Sequence, residues 1–165
     1  MSRVYPLESL YRKVFLAVGG VLAAFGLVWP LICLAVLGGF SFDVIELAIV
    51  GLPTAGFLLV GLLVASTGRM TRLELRAEGL VLHLPGGRLE AGWEDVGSIA
   101  PAPWGPFSGQ ALVLTRPARG RRPWWFRFVG SELMDQTIPL SPFALPLRGS
   151  RLEGDLRGRL PHLFD

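Results

Sequence analysis

The chain has 165 residues and a mass of 17.9 kDa, enough for one domain with additional segments but not for two large domains. Its composition is 51% hydrophobic and 18% charged, and its mean hydropathy is +0.48, which excludes a mainly disordered chain and is not typical of a soluble domain. The formal net charge is +3, and Lys13 is the only basic residue that is not Arg. This Arg usage, with no Asn anywhere, indicates a GC-rich, bacterial coding sequence.

Two long uncharged runs lie near the N-terminus, at residues 14–37 and 47–66. As a helix, the first run would extend about 36 Å, which exceeds the roughly 30 Å of a hydrocarbon core. The few residues between the runs permit only a tight connection. The sequence therefore predicts a transmembrane helical hairpin at 14–66, between an N-terminal segment at 1–13 and a second domain at 67–165.

The flanking charges predict the orientation of this hairpin. Arg12 and Lys13 precede the first run, Arg69 and Arg72 follow the second, and the loop between the runs has no Lys or Arg. The positive-inside rule then places both termini and the second domain in the cytoplasm of a multi-pass protein of the inner membrane. A cleaved signal peptide, a twin-arginine signal and a buried soluble hairpin are weaker alternatives, because the first run is long and a second follows at once.

Small residues four positions apart in the two runs would let helices approach closely. They either pack the hairpin on itself or form the face of a dimer. The pairs are Gly19/Ala23, Gly20/Ala24 and Gly61/Ala65.

After residue 70 the pattern changes to the period of two that is typical of half-buried strands, with turn signals between the segments. The predicted strands are 71–77, 80–84, 88–93, 96–100, 111–115, 124–129 and a short 137–140, with loops at 101–106 and 116–123. Leu152, Leu156 and Leu160 then share one face of a C-terminal helix at 149–160, with Ser150 as its N-cap. This order predicts a small antiparallel barrel or sandwich, and the helix can close the open end of a barrel.

Several short motifs of this region resemble those of bacterial pleckstrin-homology (PH)-like membrane proteins. The matching residues are Leu73-Glu74-Leu75, Glu78-Gly79-Leu80-Val81-Leu82, Gly86-Gly87, Trp93-Glu94-Asp95-Val96 and Ile138-Pro139-Leu140-Ser141-Pro142-Phe143. The resemblance covers roughly residues 71–163. It implies a mainly-β PH-like barrel of about seven strands with one C-terminal helix, no enzymatic activity, and a role at the membrane.

Motifs of catalysis and cofactor binding are missing from the sequence. It contains no Gly-rich phosphate-binding loop, no nucleophile elbow, and only two histidines, His83 and His162. Glu94 and Asp95 are adjacent, so on a strand they would point to opposite faces. Trp93 is predicted at the core or barrel rim, and Asp95 is predicted to cap a turn. We therefore expect no catalytic residue, no cofactor and no metal.

One basic stretch is a candidate surface for lipid or a partner. Arg supplies attraction to anionic headgroups, and Trp suits a membrane interface. The alternatives are a protein-binding edge and a solvated hairpin whose aromatic residues alternate into the core. The candidate residues are Arg116, Arg119, Arg121, Arg122, Trp124, Trp125 and Arg127.

Three functions remain open on this sequence. The first is a membrane-anchored adaptor or scaffold that binds a protein partner, another membrane protein or a second copy. The second is a reader of anionic lipid headgroups through the loop 116–127, and the third is an accessory subunit of a larger membrane complex. Nucleic-acid binding is not expected, because of the membrane tether and the modest net charge.

Overall fold

The computed structural model describes residues 2–37, 39, 43–104, 107–121, 123 and 136–164. The chain divides into two compact units. One consists of the residues up to Tyr11 together with those from Met70 onward, and the other of Arg12–Arg69.

The second unit is built from two long helices, α1 (Ser9–Leu37) and α2 (Val44–Met70). Both are long and apolar enough to cross a membrane, as the uncharged runs predicted. Each helix extends beyond its run, because Ser9–Lys13 and Thr67–Met70 continue the same backbone conformation.

The two helices pack against each other through glycine. A Cβ on Gly19 would lie 2.6 Å from the carbonyl oxygen of Gly61, so only Gly permits this approach. The rings of Phe25 and Phe57 are 5.5 Å apart, and Trp29 Nε1 donates to the carbonyl oxygen of Ile49 over 3.3 Å. The prediction that small residues pack the hairpin on itself is confirmed at this contact.

Gly20 lies outside that contact. A Cβ on Gly20 would meet nothing within 4 Å, and both Gly20 and Ala24 are exposed. A role for this pair in a dimer stays a prediction.

Sheet A contains four antiparallel strands in the order β1 (Arg3–Pro6), β2 (Arg72–Leu75), β3 (Gly79–Leu84) and β4 (Gly87–Gly92). Strand β1 was not predicted. It precedes α1 in the chain but pairs with β2, the strand that follows α2, and Pro6 lies opposite Arg72. The strands of sheet A have two ends. We call the end that contains Pro6 and Arg72 the connected end, because the chain leaves there for α1 and arrives there from α2. The opposite end of the strands, at Gly79 and Gly92, is the far end.

Sheet B contains β5 (Val96–Trp104), β6 (Phe107–Leu114) and β7 (Thr137–Pro139), in that order, after a 3-10 turn at Trp93–Asp95. The loop predicted at 101–106 is wrong for Pro101–Trp104, which continue β5 opposite β6. Proline is tolerated there because β5 pairs on one side only among the described residues, so an N–H on its other side makes no ladder hydrogen bond with them.

The predicted closed barrel is not found among the described residues, which form two antiparallel sheets and a C-terminal helix. Seven strands are present, as expected in number, but β1 is one of them, and the predicted strand at 124–129 lies outside the described residues.

The C-terminal helix α3 (Arg151–Arg157) begins after the predicted N-cap, but it ends three residues before Leu160 and is shorter than the predicted helix at 149–160. Ser150 Oγ accepts a hydrogen bond from the backbone N–H of Glu153 over 3.1 Å, which satisfies one of the donors that a helix start leaves open. Leu152, Leu156 and Leu160 are all buried. The inward residues of sheet A, such as Leu73 and Leu89, are likewise almost completely inaccessible.

Replacing Gly19 with Ala should separate the two helices, whereas replacing Gly20 with Ala should not. The first methyl group would collide with the backbone of Gly61, so we expect the free energy of unfolding to fall by about 1–3 kcal/mol. The second enters open space and should leave stability unchanged. Unfolding of the full chain in detergent, followed by circular dichroism during SDS titration, measures both. Equal losses in the two variants would contradict the observed packing.

Candidate functional site

The structure describes three residues of the predicted basic surface. Arg116, Arg119 and Arg121 are all exposed. The other four candidates lie outside the described residues: Arg122, Trp124, Trp125 and Arg127.

The basic loop runs alongside β4, on the side of this strand away from β3. Arg119 and Glu90 exchange two backbone hydrogen bonds of 2.8 and 2.6 Å, and the N–H of Arg88 donates to the carbonyl oxygen of Arg121 over 2.8 Å. Gly120 between them has φ +124°, and a Cβ there would lie 2.4 Å from the Arg88 carbonyl oxygen. Glycine is therefore needed for the loop to run this close to β4. No local sequence pattern indicates this pairing.

A cleft of about 230 Å³ opens at the far end of sheet A. Its walls come from the ends of β3 and β4, the turn before β3, the 3-10 turn after β4, and the basic loop. The charged residues in these walls are Arg76, Glu78, Glu90, Glu94, Asp95 and Arg119. Four carboxylates thus share the cleft with two guanidinium groups.

Glu94 and Asp95 line this one cleft, because they belong to a 3-10 turn and not to a strand. Glu94 is exposed, whereas Asp95 is only 8% exposed, and Arg116 Nη1 lies 3.8 Å from its Oδ1. The backbone carbonyl of Asp95 accepts from the N–H and the hydroxyl of Thr115, over 2.8 and 3.1 Å, which joins the turn to the end of β6.

Trp93 lies half-buried at the rim of the sheet, in the position that the sequence suggested. Its Nε1 donates to the carbonyl oxygens of Arg76 and Ala77 over 3.1 and 3.0 Å. The guanidinium of Arg159 lies 5.1 Å from the ring, within cation–π distance. Trp93 therefore holds the turn after β2 and the segment after α3 together.

Glu74 is the centre of an ionic group on the outer face of sheet A. Arg76 Nε donates to its Oε1, and His83 Nε2 lies within hydrogen-bond distance of its Oε2, both over 3.0 Å. These two hydrogen bonds, that of Arg76 first, lower the pKa of Glu74 from 4.5 to about 2. The carboxylate is therefore ionised and fully engaged at neutral pH, which suits a structural role and not that of a general base.

A second ionic group ties β1 to α3. Arg3 and the hydroxyl of Tyr5 both donate to the carboxylate of Asp155. Their hydrogen bonds lower the pKa of Asp155, and burial raises the pKa of Tyr5. The N-terminal strand is thus joined to the C-terminal helix as well as to β2.

Metal-ligating residues are scattered in the part of the chain that the structure describes, where no group of three His, Cys, Asp or Glu could hold an ion. Cys33 is buried within α1. The described side chains form a mixed-charge cleft and include exposed arginines. Both features suit the binding of another molecule.

No family model, curated protein or solved structure matches the chain. The PH-like identity and the bacterial origin therefore stay predictions.

Stability should depend on the ionisation of Glu74 at acidic pH. Because the pKa is lower in the folded chain, the stabilisation is complete above about pH 5 and is lost as the pH falls from 4.5 toward 2. Glu74→Gln removes it, so the difference in Tm between the native chain and this variant should be largest at pH 7 and close to zero near pH 2. Thermal unfolding in detergent at several pH values measures this difference.

The exposed Glu78, in the turn that follows β2, provides the matched control. Glu78→Gln should change Tm by less than Glu74→Gln at pH 7. A Tm difference for Glu74→Gln that is independent of pH would contradict the role given to its charge.

Proposed function

We propose that this protein is a non-enzymatic membrane adaptor. A two-helix hairpin anchors it in the bacterial inner membrane, with both termini in the cytoplasm. The cytoplasmic PH-like domain binds a protein partner at the membrane surface.

Helix length and the flanking charges support the membrane anchor. Both helices are apolar enough to span, and the basic residues Arg12, Lys13 and Arg69 lie at the two helix ends that the chain connects to sheet A. The connections are short: β1 and α1 are separated by Leu7 and Glu8, and α2 and β2 by Thr71 alone. Each connection between a helix and sheet A thus consists of only one or two residues.

The cleft at the far end of sheet A is the observation that carries the adaptor function. It lies at the end of the sheet opposite the two chain connections, where a cytoplasmic partner can reach it. Its four carboxylates exceed its two arginines, and Glu78 and Glu94 are exposed. Such a rim favours a partner segment with basic side chains, because complementary charges speed association and fix the register.

The strand arrangement supports a PH-like domain in outline. Two antiparallel sheets followed by one C-terminal helix agree with the mainly-β composition that the resemblance implies. Strand β1, which belongs to the N-terminal segment, is one of the seven strands that the described residues form.

Reading of anionic lipid through the loop 116–127 is the second candidate. The exposed arginines favour it, and the backbone pairing with β4 keeps them in place. Two of the three described arginines of this loop have carboxylates nearby, however. Arg116 faces Asp95, and Arg119 lines the mixed-charge cleft with its four carboxylates. This proximity weakens their attraction to phosphate, so the adaptor function ranks first.

Site-specific crosslinking in membranes tests the adaptor function. A photoreactive amino acid at Glu94, on the cleft, should give a discrete adduct with a partner. The same group at Leu145, which is 50% exposed and outside the cleft, is the control position. Identical adducts from both positions, or none from Glu94, would contradict binding at the cleft.

The captured partner is then purified and titrated against the full chain in nanodiscs. Glu94→Lys reverses a charge on the cleft, and we expect it to weaken binding about tenfold. Glu8→Lys makes the same change outside the cleft and should leave binding unchanged. Equal affinities for the two variants would overturn the proposed site.

A further inference from the structure

A row of basic side chains crosses the outer face of sheet A at its connected end. In the strand register, Arg72 lies opposite His83, and His83 lies opposite Arg88. Residues directly opposite each other in antiparallel strands share one face of the sheet. Their sequence neighbours Leu73, Leu82 and Leu89 are buried in the core, so this row lies on the other face.

Arg121 extends this row beyond β4. Its carbonyl oxygen accepts from the N–H of Arg88 over 2.8 Å, and its side chain is exposed. Three arginines and one histidine thus lie on or beside one line across four neighbouring segments. We call Arg72, Arg88 and Arg121, together with His83 between the first two, the cationic row, a name that refers to its three guanidinium groups.

The carboxylates of this face lie farther from the connected end. Glu74 lies two residues after Arg72 in β2, and Glu90 lies two residues after Arg88 in β4. Both are paired with Val81 of β3, the strand between them. His83 Nε2 lies 3.0 Å from Glu74, and Arg88 Nε 3.0 Å from Glu90. Among the described residues, Arg72 and Arg121 therefore have no carboxylate within ion-pair distance, and these two carry the unpaired positive charge of the connected end.

The cationic row is also the part of the outer face with the shortest chain connections to the helices. Arg72 follows Met70, the last residue of α2, after a single residue, and its neighbour Pro6 is separated from α1 by two. With helices that span a membrane, residues this close to a helix end lie within reach of the headgroups.

We infer that the cationic row is a docking surface for anionic phospholipid headgroups, which holds the domain in one orientation on the bilayer. The inference rests on the proposed membrane anchor and goes beyond the adaptor function. Guanidinium groups bind phosphate oxygens in pairs of parallel hydrogen bonds, and Arg88 keeps a side chain that is 59% exposed. The two short connections keep the headgroups at high local concentration, so weak single contacts suffice.

The lipid is favoured over an acidic protein because of where the row lies. Arg72 follows the last residue of α2 after a single residue, and the ends of a membrane-spanning helix are where the headgroups lie. The cationic row differs from the loop 116–127 in its residues, since it combines three strands with Arg121 and does not depend on Trp124 or Trp125.

Arginine footprinting of the full chain tests this inference. The protein is placed in nanodiscs of phosphatidylcholine alone or with added phosphatidylglycerol and treated with phenylglyoxal. The reagent is uncharged, so lipid charge does not change its local concentration. We expect Arg72, Arg88 and Arg121 to react about fivefold more slowly in the anionic discs. The exposed Arg148 and Arg151, near the start of α3, are internal controls and should react equally in both.

Two other outcomes would overturn the inference: equal rates at the cationic row in both discs, and equal slowing of all arginines. Slowing in phosphatidylcholine discs only after an acidic peptide is added would assign the row to a protein instead. Protein that does not enter the discs at all would overturn the membrane anchor as well. Incorporation is scored separately, by co-elution with the discs at high salt.

A pair of variants then tests the lipid selectivity directly. Native mass spectra of the detergent-purified chain, titrated with phosphatidylglycerol or phosphatidylcholine, give the apparent affinities. Arg72→Gln with Arg121→Gln should weaken phosphatidylglycerol binding about tenfold and leave phosphatidylcholine binding unchanged. Arg148→Gln with Arg151→Gln removes the same charge elsewhere and should change neither. Equal effects of the two double variants would overturn the inference.

Discussion

The pairing of β1 with β2 is the constraint on which the rest of the molecule depends. It joins the residues before α1 to those after α2, so both helices connect to neighbouring strands at one end of sheet A. Asp155 reinforces this pairing, because it binds Arg3 and Tyr5 of β1 from the C-terminal helix. The two ends of sheet A differ: the cationic row lies at the connected end, and the mixed-charge cleft lies at the far end.

Much of the fold could be predicted from local patterns. Uncharged runs specify the two helices, alternation with glycine turns specifies β2 to β4, and Ser150 with its leucine stripe specifies α3. What could not be predicted depends on distant partners. The four residues of β1 show no informative alternation and become a strand only because β2 is available. Pro101 suggests a loop, yet it is compatible with a strand that has a neighbour on one side only.

The residue types of the basic loop could be read from the sequence, but the arrangement of the candidate site in space could not. Three arginines of the predicted basic surface are exposed, Arg116, Arg119 and Arg121, but the attachment of this loop to β4 depends on contacts between Gly120 and Arg88 that local sequence does not encode. The cleft brings together carboxylates from separate segments, and Glu94 joins Asp95 there because a 3-10 turn replaces extended backbone. Likewise, Glu74 has an alternating position in β2, but its low pKa arises from His83 on the next strand as well as from Arg76.

The placement of β1 also has a consequence for how the chain reaches this state. During synthesis, β1 emerges first, yet its partner strand is made only after both helices are complete. Sheet A therefore cannot close until a long loop has been brought together, a contact of high sequence separation that slows folding. Until then the half-buried Tyr5 of β1 lacks the neighbours that it has in the folded sheet, and β1 can join sheet A only after both helices and β2 have been made.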